Sequence, residues 1–322
     1  SIQEPGRIVL HDVNLVDLAQ NYAEGRGSYE TWREVITSQY GEQVLELAIR
    51  SEKWEEHQAR EELAINYPLF KPYLQGALGV VIHSRYAEEI LRSQLPAHVS
   101  IRQLCLPYPP PGPAYRRDYQ APTLRFIFCG HVGPNRRVEK FMEAWSQLPD
   151  PSRIQLDIYG NVSFINVLEE KAEECGITGL YNIHGFVDEE TLERALQDAH
   201  FALNLRWPTM GETSSSQLRY WSHALPTIAS DVGWYHEVPE QALIKIPIEN
   251  EVECLREKLL QIVGNPASFA AYGEMGREYW ENEHSPQRYV DGLLEFARER
   301  AVALKKEVLD DVLVSTLDSM CE

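Results

Sequence analysis

The sequence predicts an α/β protein with two Rossmann-like lobes, each built on a parallel sheet, and three observations predict it. At 322 residues the chain is about twice the usual single-domain length, so two cores of comparable size are expected. From Leu124 onward, short continuous apolar runs alternate with helical periodicity, as expected for strands buried on both faces beneath crossover helices. The Pro-rich run from Pro107 to Pro113 cannot continue a helix or a central strand, and it is stiff. It divides the chain into a first lobe over 1–113, a second lobe over 114–290 and a helical tail over 291–322.

In the first lobe "RIVL" reads as a strand, and the polar and aromatic stretch up to Tyr73 reads as helical in pieces. "LGVVI" is a buried strand, "SRYAEEILRSQL" a helix with Ser84 placed to cap it, and "SIRQLCL" a third strand. Only about three strands are supplied, and the sheet has no earlier members in the sequence. The expectation is an incomplete N-terminal lobe belonging to a longer polypeptide.

The second lobe is regular. "LRFIFC" is a strand, and Val138, Phe141, Met142 and Trp145 recur at i, i+3, i+4 and i+7 on one helix face. "IQLDIY", "YNIHGF", "FALNL", "TIAS" and "ALIKI" are further strands. The helices "VLEEKAEEC", the face Leu192, Ala195, Leu196 and Ala199, "SSSQLRYWSHA" and "EVECLREKLLQIV" lie between or after them. The tail "RYVDGLLEFARERAVALKKEVLDDVL" is amphipathic and is expected to pack back across the lobes.

With 49 acidic against 30 basic side chains the net charge is −19, which repels a nucleic-acid backbone. Five scattered cysteines form no metal-binding spacing and read as reduced core residues. No run approaches the ~18 apolar residues that cross a bilayer, and the first residues carry no signal-peptide pattern. The expected location is the cytoplasm, compatible with peripheral association with a membrane.

Ligands of open parallel sheets sit at the C-terminal strand ends, where helix N-termini present free N–H groups. Three loops occupy such positions: "GHVGPNRR", "GFVDEE" and "RWPTMGETSSS". In the first, Gly130 and Gly133 allow close backbone approach, and Arg136 and Arg137 suit a diphosphate. The alternative is a solvated helix start. In the third, the N–H groups near Thr213, Ser214, Ser215 and Ser216 suit a phosphate, and Glu212 suits sugar hydroxyls. The alternative is that Thr213 or Ser214 is a plain helix cap. The histidines, among them His184, His223 and His236, show no metal-ligand spacing, so no metal is expected.

The segments "FCGHVGPNRRVEKFMEAW", "IYG", "NIHGFVDEETLERALQDAHFALNL", "GETSSSQLRYWSHALPTIASDVGWYHEV" and "MGREYW" resemble, in order, the donor-binding half of a glycosyltransferase family 4 enzyme with the GT-B fold. "IVLHDVNL" and "LGVVIHSRYAEEIL" resemble the later part of its acceptor-binding lobe. The family's upstream strands and Gly-rich acceptor loop are not matched. The resemblance implies that the donor diphosphate is bound at His131 and Arg136, with Arg137 compensating for the weaker charge of His131. It implies a sugar-binding acid at Gly211, taken here as Glu212 by a one-residue shift. A ribose-binding acid is implied where Arg219 stands. It also implies backbone donors at Ser214, Ser215 and Ser216, a nucleobase beside Val187, and a cleft wall at Gly233 and Glu237. Trp234 stands where the family has a second glycine. His11 matches a histidine near the transferred sugar, with Ser84 and Arg85 facing the same cleft.

The activity implied is retaining transfer of a hexose from a nucleotide diphosphate sugar, such as a UDP-sugar, to a hydroxyl in polysaccharide, glycan or glycolipid biosynthesis. No cofactor is implied. The alternatives are a nucleotide-sugar-binding module without turnover and a nucleotide-sugar epimerase of the same architecture. No carboxylate pair flanking a scissile bond is evident, against a glycoside hydrolase.

Overall fold

The computed structural model describes residues 6–299 apart from 17, 19–28, 52, 54–55, 75, 98, 110–114 and 116. In the first lobe, β1 (Arg7–Val9) is followed by α1 (Tyr29–Tyr40), α2 (Glu42–Ser51) and α3 (His57–Asn66). These helices share a core of Ile36, Val44, Leu47, Leu63 and Leu69. β2 (Gly79–Ile82), α4 (Arg85–Gln94) and β3 (Ser100–Gln103) complete the lobe. Among the described residues its sheet has three parallel strands in the order β1-β2-β3. Ser84 caps α4, its Oγ accepting from the Ala87 N–H at 3.1 Å.

The second lobe begins with β4 (Leu124–Cys129), α5 (Val138–Ser146), β5 (Ile154–Tyr159), α6 (Ile165–Glu174), β6 (Tyr181–Gly185) and α7 (Glu189–Asp198). It continues with β7 (Phe201–Asn204), α8 (Ser215–Ser222), β8 (Thr227–Ser230), α9 (Gly233–Glu237), β9 (Ile244–Ile246), α10 (Glu251–Gly264) and α11 (Ala270–Glu283). Strand order is β6-β5-β4-β7-β8-β9, all parallel. The chain thus winds outward from β4, returns across it to β7 and winds the other way. The junction between β4 and β7 is the topological switch point, where doubly wound sheets open a crevice.

The apolar runs account for this arrangement. β7 and β8 are buried throughout, and β4 exposes only Arg125. Val138, Phe141, Met142 and Trp145 are all fully buried, so the predicted face of α5 is the one that packs on the sheet. Helix α11 was legible only as the landmark "MGREYW", because Gly273 and Gly276 interrupt its pattern. Packing explains both glycines: a Cβ would lie 2.1 Å from the Ala224 carbonyl oxygen at Gly273 and 2.2 Å from the Trp221 ring at Gly276.

A last helix over 286–299 returns to the first lobe. Arg7 donates to the Phe296 carbonyl at 2.9 Å, Arg102 pairs with Glu299 at 2.6 Å, and Gly292 packs against Leu104. The tail beyond 299 lies outside the described residues. No helix among them is long and apolar enough to cross a membrane.

Buried His284 joins the two passages between lobes, with Nδ1 2.7 Å from the Leu106 carbonyl. His83, at the end of β2, has Nδ1 2.8 Å from the Leu104 carbonyl. Burial pulls both imidazoles from the ordinary 6.5 down to about 4. Between those values the unfolded chain binds protons that the fold does not. Their contribution is therefore present above pH 6.5 and falls as pH drops toward about 4. A loss on the order of a few kcal/mol is expected between pH 7 and pH 4.5. Urea denaturation at the two pH values measures it, and equal stabilities would contradict the burial argument.

Candidate functional site

The C-terminal ends of β4, β5 and β6 each finish on a glycine, and the backbones there are in contact. Gly130 and Gly160 have φ of +131° and +119°, and a Cβ on Gly160 would lie 2.2 Å from the Gly130 carbonyl oxygen. Only a glycine fits at position 160, and Gly130 and Gly185 also hold positive φ. Tyr220 fixes its edge by accepting the Cys129 N–H on its hydroxyl at 2.7 Å, and Ser216 donates to the Cys129 carbonyl at 2.9 Å. Above the floor is a cavity of about 290 Å³ whose lining includes Gly130, Gly185, Val187, Ser215, Ser216 and Arg219. Phe186, also in the lining, is 86% exposed.

Arg219 lines this cavity. Its Nε donates to the Tyr108 hydroxyl at 2.8 Å and its Nη2 to Glu189 at 2.7 Å. The cation found where the resemblance implies an acid is thus accompanied by a carboxylate on the neighbouring helix.

Two arginines meet at the switch point. Arg136 follows β4, its Nε is buried without a partner, and its guanidinium forms no hydrogen bond or ion pair among the described residues. Burial shifts it toward easier deprotonation, opposed by nearby Tyr235, Tyr220 and Asp12. Arg206 follows β7. Burial and then the charge of Arg136 bring it down to about 10, so it remains cationic at neutral pH. Its Nη1 binds Glu212 in a short contact, its Nη2 lies 3.3 Å from the Ser214 hydroxyl, and its Nε is buried without a partner.

The first lobe closes the other side. The N–H groups of Val13 and Asn14 donate to the Met210 carbonyl at 2.8 and 3.0 Å. A Cβ on Gly211 would lie 2.8 Å from the Val13 side chain, so this contact requires glycine. His11 is exposed beside this seam, with Nδ1 3.1 Å from Nε2 of His83. The Glu237 carboxylate accepts the N–H groups of Arg85 and Tyr86 at 2.9 and 2.6 Å, capping α4 from the opposite lobe. A carboxylate at a helix N-terminus is favoured by unpaired donors and by the dipole. Glu237→Gln is therefore expected to raise hydrogen exchange at the Arg85 and Tyr86 amides by about tenfold, for the weakening of a charge-assisted contact. Unchanged protection there would show that the contact does not tie the lobes.

The structure brings Gly130, Val187, Ser215, Ser216 and Arg219 to one cavity and sets Arg136 beside Arg206. Other expected residues do other things. Arg137 is turned away and pairs with Glu251 at 2.5 Å, lining a separate cavity with Lys140 and Asn250. Its left-handed backbone, φ 55°, starts α5. His131 is exposed, with Nε2 3.1 Å from the Ser163 hydroxyl and its ring 3.4 Å from the Cβ position of Gly133.

Glu212, expected as the sugar-binding acid, is already engaged on both oxygens. It is 8% exposed, with one oxygen on Arg206 and the other accepting from Thr209 Oγ1 and the Met210 N–H at 3.1 and 2.8 Å. Ser214 is the cap of α8, accepting from Gln217 at 3.2 Å, and the Thr213 hydroxyl donates to the His83 carbonyl at 3.2 Å. Gly233, φ +52°, packs against Thr209 and borders a third cavity of about 610 Å³ with Glu237, Trp207 and Tyr86. Sequence reasoning missed Arg206, His83, Tyr108 and Glu189. A lone arginine closing the apolar run "FALNLR" was the available signal for the first. Among the described residues no three His, Cys, Asp or Glu side chains form a metal-holding group.

Fold and cleft together define a two-lobed α/β protein of the GT-B architecture. Residues 123–265, which span the whole second sheet, match the family model described as Glycosyl transferases group 1. Solved structures with this fold include a sucrose-phosphate synthase from Thermosynechococcus elongatus, at 17% identity and TM-score 0.61, covering 92% of this chain and 68% of that one. TarM of S. aureus, solved with UDP, is similar at 14% identity and TM-score 0.59, over 74% of this chain and 46% of that one. The pneumococcal O-GlcNAc transferase GtfA, solved with UDP and GlcNAc, matches at 14% identity and TM-score 0.55, over 74% and 47%. The chain thus spans less than half the length of the last two. No curated protein matches it.

Proposed function

We propose that the protein is a retaining hexosyltransferase of the family 4 type, moving a sugar from a nucleotide diphosphate sugar to a hydroxyl of a glycan, polysaccharide or glycolipid acceptor. The observation that carries this reading is Arg136 at the switch point, whose guanidinium makes no hydrogen bond or ion pair among the described residues and whose Nε is buried. A partly desolvated cation that makes no hydrogen bond or ion pair among the described residues, with Asp12 acting on it only through charge, is unfavourable, and a diphosphate supplies both direct charge and acceptors. The adjacent lining supports the rest of the donor. Phe186 offers an exposed aromatic face to a base, and the first N–H groups of α8 at Ser215 and Ser216 suit a phosphate.

In this reading Arg136, Arg206 and the start of α8 stabilise the departing diphosphate. Glu212 serves by holding Arg206 in place, and His11 faces the transferred sugar. Preorganised charge of this kind is usually the largest catalytic contribution. Neither a divalent metal nor another cofactor is needed. The reading places the protein in the cytoplasm, meeting a membrane peripherally where the acceptor is a glycolipid.

Calorimetric titration with UDP-, GDP- and dTDP-sugars, followed by nucleotide release with and without acceptor, tests the proposal. Binding of one donor with acceptor-dependent release is the expected result. No binding to any of the three overturns it. Binding without release indicates a non-catalytic module, and conversion of the sugar on its nucleotide indicates an epimerase.

A further inference from the structure

We infer that His83 is a positioning residue that holds His11 in its Nδ1–H tautomer and leaves an unprotonated Nε2 on His11. The chain of contacts begins at a backbone carbonyl. His83 Nδ1 lies 2.8 Å from the Leu104 oxygen, and a carbonyl only accepts, so this nitrogen carries the hydrogen. The ring is 3% exposed, and burial keeps it neutral. Its Nε2 is therefore a lone pair. That lone pair lies 3.1 Å from His11 Nδ1, with the ring centroids 4.9 Å apart. An acceptor needs a donor opposite it, so His11 Nδ1 carries its hydrogen, and the neutral ring bears its lone pair on Nε2.

Among the described residues this relay has no competing hydrogen-bond partner. Tyr289 of the last helix stands 6.0 Å from the His83 ring, and buried His284 turns its Nδ1 to the Leu106 carbonyl instead. The Thr213 hydroxyl binds the backbone carbonyl of His83, not its ring. Among the described residues neither imidazole bonds a carboxylate, so the tautomer is set without adding negative charge beside the diphosphate site. His11 is exposed, and the next residue, Asp12, acts electrostatically on both Arg136 and Arg206. Its Nε2 is thus an acceptor for a hydroxyl hydrogen at the cleft. That consequence rests on the sugar-transfer reading; the tautomer itself does not.

The test uses the full chain labelled with ¹⁵N-histidine, with His11→Gln assigning the resonances. At pH 8 the nitrogen shifts are expected to show Nδ1–H on His11. His83→Asn keeps a donor for Leu104 but withdraws the acceptor from His11, and should move His11 to mainly Nε2–H, the form that a free imidazole side chain favours. His83→Gln returns an acceptor oxygen near the Nε2 position and should restore Nδ1–H. In turnover, His83→Asn should lower kcat about tenfold with the donor KM unchanged, and His83→Gln should recover part of the loss. Nε2–H on His11 in the unaltered protein overturns the inference. So does Nδ1–H persisting in His83→Asn. The expected tautomer changes without sugar transfer from any donor uphold it and overturn the functional reading instead.

Discussion

Arg136→Ala is expected to weaken binding of a free nucleoside diphosphate by on the order of a hundredfold, the cost of removing one partner from a largely desolvated charge pair. The ligand-free protein should be as stable as before or slightly more so, because the guanidinium makes no described hydrogen bond or ion pair and its Nε is buried without a partner. Glu212→Ala should weaken the same ligand less, since the cation it holds remains in the cleft. Calorimetry with the nucleoside diphosphate, paired with thermal unfolding, measures both quantities. A larger binding loss for Glu212→Ala, or a marked fall in ligand-free stability for Arg136→Ala, would show that the phosphate assignment is wrong.

The second large effect belongs to Arg206. It and Glu212 have side chains only 6% and 9% exposed, and breaking such a pair from one side leaves an uncompensated charge in the interior. Arg206→Ala is expected to cost about 3–5 kcal/mol of unfolding free energy. The double variant Arg206→Met with Glu212→Gln should recover most of this, because the new amide can still accept from Thr209 and Met210 through its oxygen. Urea denaturation of the two variants decides the matter. A loss below about 1 kcal/mol for the single change, the level of a surface ion pair, would mean that the pair is dispensable to the fold.

These two residues show how unevenly the site was legible. Arg136 stands in a glycine-containing loop after an obvious strand, where position alone suggests an anion, and among the described residues it makes no hydrogen bond or ion pair. Arg137 has the same charge one residue later. A left-handed backbone at φ 55° turns it to Glu251, more than a hundred residues away in sequence, and no local pattern announces that partner. Glu212 is a similar case. Its chemistry suited a sugar hydroxyl, but Arg206 at the end of β7 claims one oxygen and the loop's own Thr209 and Met210 claim the other.

Local chemistry alone accounts for the strands of the second lobe and most of its helices, the capping of α4 by Ser84, and the glycines and hydroxyls at the strand ends, whereas α11 shows only as a landmark. Apolar period, cap geometry and backbone freedom act within a few residues. Long-range packing sets the strand order β6-β5-β4-β7-β8-β9, the pairing of His83 with His11, the capping of one lobe by Glu237 of the other, and which of the two loop arginines pairs with a carboxylate. Those outcomes depend on long-range burial and on which distant groups satisfy one another. Charge and hydrogen-bonding capacity belong to a residue, but their availability is set by the neighbours that folding brings to it.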